Sequence, residues 1–166
     1  MDVSEVKGEL EDLGPDGFVK RHGKYYLVLT SPEQLDEFAS FVNTASREAS
    51  EITTGKNLDG IEVLPLMPKS RNATRVTIGR EQSTDLMIVH RKISKLHAYF
   101  TVEGGLLSLA DSGSKNGTWL NGKILAPNEL VPVDVGDTVN FGSITATVWG
   151  FEDLLAAVKS TAERAR

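Results

Sequence analysis

The chain has 166 residues, a formal net charge of −5 and no cysteine, and 40% of its residues are hydrophobic. These values are typical of a globular protein; they exclude disulfides and thiolate nucleophiles, and they disfavour nucleic-acid binding, which depends on a dense basic surface. No apolar run reaches the roughly 20 residues of a membrane span, and the opening residues lack the basic and apolar regions of a signal peptide, so we expect a cytoplasmic protein without membrane contact.

The first segment, residues 1–58, mixes helical and extended patterns and is predicted to be an α+β extension of unknown role. Residues 2–13 are predicted to form a short acidic helix that ends at a Gly-Pro-Asp-Gly sequence, residues 14–17. Phe18–Arg21 and Tyr25–Leu29 flank a short turn sequence, which predicts a small hairpin.

A second helix is predicted over residues 32–48. Ser31 is suited to be its N-cap, Pro32 occupies the first helical position, and Gln34 completes a capping box. Four apolar residues then recur at helical spacing: Leu35, Phe38, Phe41 and Val42. We expect this stripe to be buried against the hairpin or against the middle of the chain.

The middle segment, residues 59–150, is predicted to be mainly β. Short β-rich runs alternate with glycine-containing turn sequences, and this pattern is typical of a β-sandwich. The predicted strands are Ile61–Leu66, Arg75–Ile78, Ala98–Val102, Leu106–Leu109, Thr118–Leu120, Thr138–Phe141 and Ile144–Trp149. Residues 151–166 place Leu154, Leu155 and Val158 on one face, which predicts a C-terminal helix packed on the sandwich.

Five motifs follow one another in a fixed order within the middle segment. They are Ile78-Gly79-Arg80, Ile93-Ser94-Lys95-Leu96-His97-Ala98, residues 111–118 (DSGSKNGT), Leu120-Asn121-Gly122 and residues 136–142 (GDTVNFG). Over about residues 60–150 this series resembles the forkhead-associated (FHA) domain family. The resemblance implies an antiparallel β-sandwich of about eleven strands, FHA/SMAD-like, whose loops at one end hold a phosphothreonine.

The resemblance also implies which residues bind the phosphate. Phosphothreonine carries about −1.5 to −2 charges and three acceptor oxygens, and the planar fork of an arginine matches two of these oxygens. Arg80 is therefore expected to be the main phosphate ligand. Ser94 is expected to donate a hydroxyl hydrogen bond to the phosphate, and Lys95 and Lys115 are expected to add contacts. As isolated residues, all four would be ordinary loop positions.

Two further positions are expected to read the peptide around the phosphothreonine. The amide of Asn116 can both donate to and accept from a peptide backbone. Lys92 lies where some family members select an acidic residue three positions after the phosphothreonine; a solvated basic loop would give the same sequence.

The remaining motif residues are expected to be structural. His97 would bond backbone groups and hold the binding loops, together with Gly79, Gly117, Asn121 and Gly122. Asn121-Gly122 predicts a tight hairpin turn. Ser94, His97 and Asp111 have the residue types of a catalytic triad, but no nucleophile-elbow pattern surrounds Ser94.

We therefore expect a phosphothreonine-dependent adaptor module in Ser/Thr-kinase signalling, without enzymatic activity, cofactor or metal. Its partner would be a phosphothreonine-containing protein or peptide, such as a Ser/Thr kinase or a kinase substrate. The alternative is an FHA scaffold or oligomerisation protein that binds without phosphate.

Overall fold

The computed structural model describes residues 1–29 and 61–164. Helix α1 spans Val3–His22 and helix α2 spans Phe151–Arg164. The strands in this part of the chain are β1 (Tyr25–Leu29), β2 (Glu62–Pro65), β3 (Arg75–Gly79), β4 (Leu86–Met87), β5 (Ala98–Glu103), β6 (Leu106–Asp111), β7 (Thr118–Leu120), β8 (Lys123–Ile124), β9 (Val131–Val133), β10 (Thr138–Phe141) and β11 (Ile144–Gly150).

The strands form two sheets. One has six strands in the order β2-β1-β11-β10-β7-β8, and the other has five in the order β4-β3-β5-β6-β9. Neighbouring strands pair antiparallel, except that β3 and the two-residue β4 pair parallel. The predicted β-sandwich of about eleven strands is confirmed.

The main core lies between the inner faces of the two sheets. Every second residue of a strand points to the same face, so alternate apolar residues of both sheets meet there. The fully buried members include Leu27, Ile78, Phe100, Leu109, Val139 and Phe141. Burying each of these side chains contributes about 1.5–3 kcal/mol, which makes the sandwich a rigid support for its loops.

The two helices cover the outer face of the six-stranded sheet over β1, β2 and β11. Both helices contribute to a second buried cluster with these strands, which includes Val6, Phe18, Tyr26, Val28, Trp149 and Leu154. Leu154 and Val158 of α2 are buried, and Leu155 is partly buried against the same cluster. The predicted C-terminal helix and its packing on the sandwich are confirmed.

The predicted hairpin of Phe18–Arg21 with Tyr25–Leu29 is wrong in its first half. The helix does not end at residue 13: Gly14 adopts a non-helical backbone (φ 69°), and α1 resumes at Pro15 and continues to His22. Proline fits the first position of a helix, because its fixed φ is helical and its missing N–H leaves no helical bond unmade. Phe18 thus lies on a helix and is fully buried, and Tyr25–Leu29 forms a strand as predicted.

Strands β4, β8 and β9 have no counterpart in the sequence analysis. Each has only two or three residues, too few to show alternation. The predicted helix over 32–48 lies outside the described residues. Neither helix in the described part of the chain has the length and apolar character needed to cross a membrane.

The division into residues 1–58, 59–150 and 151–166 stays a proposal. Strand β1 of the first segment pairs with β2 on one side and with β11 on the other. The sheet therefore includes chain from both sides of residue 58.

Candidate ligand-binding site

Four loops meet at one end of the sandwich and carry all the residues predicted to contact a ligand. Arg80 directly follows β3, and the segment with Lys92, Ser94 and Lys95 precedes β5. The loop between β6 and β7 carries Lys115 and Asn116, and the turn between β10 and β11 lies beside it. The structure thus brings together residues that lie up to 36 positions apart, from Arg80 to Asn116, on a rigid support.

Arg80 is placed by a close approach of two backbone segments. A Cβ atom on Gly79 would overlap the carbonyl oxygen of Lys95, so only glycine fits at this position. Arg80, the next residue after Gly79, donates its N–H to the carbonyl oxygen of Ser94 at 3.0 Å. The Arg80 side chain is exposed, and no carboxylate of the described residues pairs with it. Its guanidinium is therefore available to an external anion.

Ser94 is held from both sides. Its hydroxyl oxygen accepts the N–H of Lys115 at 3.0 Å, and its own N–H donates to Nδ1 of His97 at 3.0 Å. Because the hydroxyl oxygen accepts here, the hydroxyl proton remains free to be donated to a ligand. The contact also fixes the β6–β7 loop against the loop that precedes β5.

His97 ties two of the loops together. Nδ1 accepts from Ser94 N–H, while Nε2 donates to the carbonyl oxygen of Gly117 at 2.8 Å. This pattern requires the neutral imidazole with its proton on Nε2. Burial lowers the pKa of His97 below its ordinary value, and this effect outweighs the Gly117 bond and the Asp111 charge, which raise the pKa. Both ring nitrogens are thus bound to backbone groups, and neither is bonded to the Ser94 hydroxyl or to Asp111.

Asp111 organises the loop between β6 and β7. Its carboxylate accepts from the N–H of Gly113, from the N–H and hydroxyl of Ser114, and from the hydroxyl of Thr118. Burial opposes ionisation of this carboxyl, but the hydrogen bonds outweigh burial and hold its pKa below the usual value. The three residues suggestive of a catalytic triad therefore form no Ser–His–Asp chain.

The carbonyl oxygen of Lys92 is approached by two other parts of the site, Asn116 and Gly142. Asn116 donates one amide N–H to the carbonyl oxygen of Lys92 at 2.9 Å. A Cβ on Gly142, which has φ 58°, would lie 2.8 Å from the same oxygen, and the Gly142 N–H donates to Gly117 at 2.9 Å. In the sequence analysis, Gly142 appeared only as the last residue of the 136–142 motif, and its contact with this loop was missed.

The lysines near Arg80 and Ser94 differ in their surroundings. The ammonium group of Lys95 lies 3.6 Å from the carboxylate of Glu81. In contrast, no carboxylate among the described residues pairs with Lys92 or Lys115. Glu81 was not singled out in the sequence, although it directly follows Arg80.

Asn121 and Gly122 form the predicted hairpin turn rather than part of the ligand site. Their φ values, 51° and 80°, are those of a tight type I′ turn, and β7 pairs antiparallel with β8 across it. The Asn121 side chain also accepts from Thr138 N–H at 2.9 Å and donates to Asp137 at 3.0 Å.

Comparison with known proteins gives matches over the same region. The family model described as "FHA domain" matches residues 76–142. The glycogen accumulation regulator GarA of Mycolicibacterium smegmatis (strain ATCC 700084 / mc(2)155) is 29% identical over 118 residues, which cover 63% of this chain and 72% of GarA.

Solved structures share the fold at low sequence identity. The FHA domain of CT664 from Chlamydia trachomatis has a TM-score of 0.52 at 15% identity, covering 76% of this chain and 96% of that domain. The yeast Dun1 FHA domain, in complex with a doubly phosphorylated (pT) peptide derived from Rad53 SCD1, has a TM-score of 0.51 at 20% identity, covering 76% of this chain and 74% of the other. The FHA domain model thus matches residues 76–142, the stretch that runs from β3 to the Gly142 turn and carries the candidate site.

Proposed function

We propose that this protein is a phosphothreonine-dependent adaptor module in cytoplasmic Ser/Thr-kinase signalling. It binds a phosphothreonine-containing segment of a partner, such as a Ser/Thr kinase or a kinase substrate. It does so without catalysis, cofactor or metal. FHA domains are protein-interaction modules that read phosphorylated motifs through basic side chains.

The observation that carries this proposal is the backbone bond from Arg80 N–H to the Ser94 carbonyl, which joins the loop of an exposed arginine to the loop of the Ser94 hydroxyl. This bond aligns the backbones of the two residues before any ligand arrives. A guanidinium that pairs with no carboxylate of residues 1–29 and 61–164, together with a hydroxyl that has a free proton, supplies donors for two or three phosphate oxygens. Lys115, whose N–H donates to the Ser94 hydroxyl oxygen, is exposed and adds positive charge near Ser94.

The flanking residues are assigned to the peptide. Asn116 uses one amide N–H to hold Lys92, so its second N–H and its carbonyl oxygen remain for the backbone of an extended ligand. Lys92 is exposed beside it and would select an acidic residue three positions after the phosphothreonine. Lys95 is proposed as a further phosphate contact.

Two independent facts favour an adaptor function over an enzymatic function of Ser94, His97 and Asp111. The ring of His97 has no nitrogen left to serve as a base for Ser94, because both nitrogens bond backbone groups. In addition, the similar Dun1 domain was seen bound to a phosphothreonine peptide, and the similar GarA is a regulator.

The proposal is tested by titration of the whole chain with an oriented library of phosphothreonine peptides. The tightest ligand should then be compared by calorimetry with its unphosphorylated form. We expect micromolar affinity for the phosphopeptide, about −8 kcal/mol, and no detectable binding of the unphosphorylated peptide. Equal binding of both forms would instead identify a scaffold that does not depend on phosphate.

A further inference from the structure

We propose that Glu81 competes with the bound phosphate for Lys95, and that it thereby limits how tightly the domain holds a phosphothreonine ligand. The inference rests on the proposed function and deepens it. It begins from the ion pair between Lys95 Nζ and Glu81 Oε1, which are 3.6 Å apart at the rim of the candidate site.

The backbone, rather than a chance meeting of two long side chains, sets this pair. Arg80 N–H donates to Ser94 at 3.0 Å, and Glu81 N–H donates to Lys95 at 3.3 Å. Both acceptors are backbone carbonyl oxygens. Two consecutive backbone bonds therefore align residues 80 and 81 with residues 94 and 95. The pair that should hold the phosphate, Arg80 and Ser94, directly precedes the pair that forms the salt bridge.

The charges in this arrangement oppose one another when a phosphate binds. A phosphothreonine brings about −1.5 to −2 charges next to Arg80 and Ser94. Lys95 can then turn toward the phosphate only by leaving Glu81. Both partners are largely exposed, at 73% for the Lys95 side chain and 50% for that of Glu81, so the pair is weak enough to exchange.

Glu81 acts on one cation and leaves the others untouched. Within residues 1–29 and 61–164, Arg80, Lys92 and Lys115 have no carboxylate partner. The domain therefore keeps its main phosphate ligand ready while holding one auxiliary lysine in reserve. This arrangement lowers the affinity for the phosphothreonine ligand and so favours its release.

The experiment measures the tightest library phosphothreonine peptide against five proteins: wild type, Glu81→Gln, Lys95→Met, the double variant and Glu103→Gln. Glu103 is an exposed acid at the opposite end of β5, so its substitution changes net charge equally without touching the site. We expect Glu81→Gln to bind about two- to fivefold tighter at roughly 50 mM salt and to approach wild type at roughly 300 mM, because salt screens exposed pairs. Glu103→Gln should match wild type.

The double variant separates competition from simple repulsion. If Glu81 acts by holding Lys95, its substitution should give no gain once Lys95 is methionine. A gain that persists in that background would overturn the proposal, as would equal or weaker binding by Glu81→Gln. A wild type that binds no phosphothreonine peptide would refute the proposed function and this inference together; a wild type that binds while Glu81→Gln is unchanged refutes the inference alone.

Discussion

Arg80 is the residue on which the proposed affinity depends most. Its guanidinium has no carboxylate partner in the described structure and is exposed, so removing it should cost binding and leave the fold intact. We predict that Arg80→Ala weakens phosphothreonine-peptide binding by about 2–5 kcal/mol, which is roughly 30-fold or more. Calorimetry of the peptide and thermal unfolding of the protein measure the two effects separately.

Arg71→Ala is the matched control for Arg80→Ala. Arg71 is an exposed arginine in the connection between β2 and β3. Its loss removes the same charge, and we expect binding close to that of wild type. If Arg80→Ala lowers the melting temperature while affinity survives, Arg80 is structural and the assignment is wrong.

His97 should make stability depend on pH in a defined direction. The fold lowers the pKa of His97, so the neutral form is favoured in the native state. Above the ordinary pKa of about 6.5 the ring is neutral in both states and its full contribution is present; as the pH falls through the lowered native pKa, that contribution is lost. We predict that the free energy of unfolding falls as the pH drops below about 6.5.

The His97→Ala variant tests whether His97 causes this pH dependence of stability. The variant should be less stable by about 1–3 kcal/mol at neutral pH, because buried backbone groups at Ser94 and Gly117 lose their partner. The free energy of unfolding should be measured by urea at several pH values between 5 and 8. We expect it to change less with pH in the variant than in wild type. An equal change in both proteins would assign the pH dependence to other groups.

At the scale of elements, the turn between β10 and β11 supports the binding loops. Gly142 has φ 58°, and an alanine there would bring Cβ to 2.8 Å from the Lys92 carbonyl that Asn116 holds. Gly104 has the same φ of 58°, but nothing lies within 4 Å of the corresponding Cβ position. We predict that both alanine variants lose similar stability from backbone strain, and that only Gly142→Ala also weakens phosphopeptide binding.

The comparison of these two glycines isolates the loop contact, because the backbone strain is shared. Peptide affinity by calorimetry and unfolding free energy by urea should be measured for both variants. Equal losses of affinity in Gly104→Ala and Gly142→Ala would show that the Gly142 contact does not position the site.

The sequence predicted the longer strands because alternation and glycine turns are local signals. Thr138–Phe141 matches its predicted bounds, and the predicted Ala98–Val102 is one residue shorter than β5. The continuation of α1 past Gly14 was not predicted, since the burial of Phe18 against β1 and α2 is a long-range contact. Short strands such as β4 exist through their pairing with a neighbour, which no local pattern reveals.

For the site, the motif order predicted which residues would converge, and the structure places them at one end of the sandwich. The ligand roles of Arg80, Ser94 and Asn116 stay predictions until a peptide is tested. The contacts of Glu81 and Gly142 could not be read from the sequence. Both depend on how close two loops approach in space, and spacing along the chain does not encode that distance.

In the whole molecule, the helical cluster that stabilises the fold and the loops proposed to bind the ligand are separate parts of the structure. Leu154 of α2 is fully buried in the helical cluster on the outer face of the six-stranded sheet. We predict that Leu154→Ala costs about 2–5 kcal/mol of unfolding free energy and leaves phosphopeptide affinity unchanged at temperatures where the variant is folded. Lys159→Ala, an exposed position on the same helix, should change neither quantity. Lost affinity in folded Leu154→Ala would show that the two parts are coupled.

The register of β1 has a consequence for engineering. Leu29 pairs with Glu62 on one side and with Ala146 on the other, two residues after β11 begins beside the Gly142 turn. The end of β1 at Leu29 and the start of β2 at Glu62 thus lie toward the end of the sandwich that carries Arg80. A phosphothreonine sequence grafted into the connection between them would be a tethered ligand at millimolar effective concentration, about a thousandfold above a micromolar Kd. Such a chimera would occupy its own site when phosphorylated and could report kinase activity within one molecule.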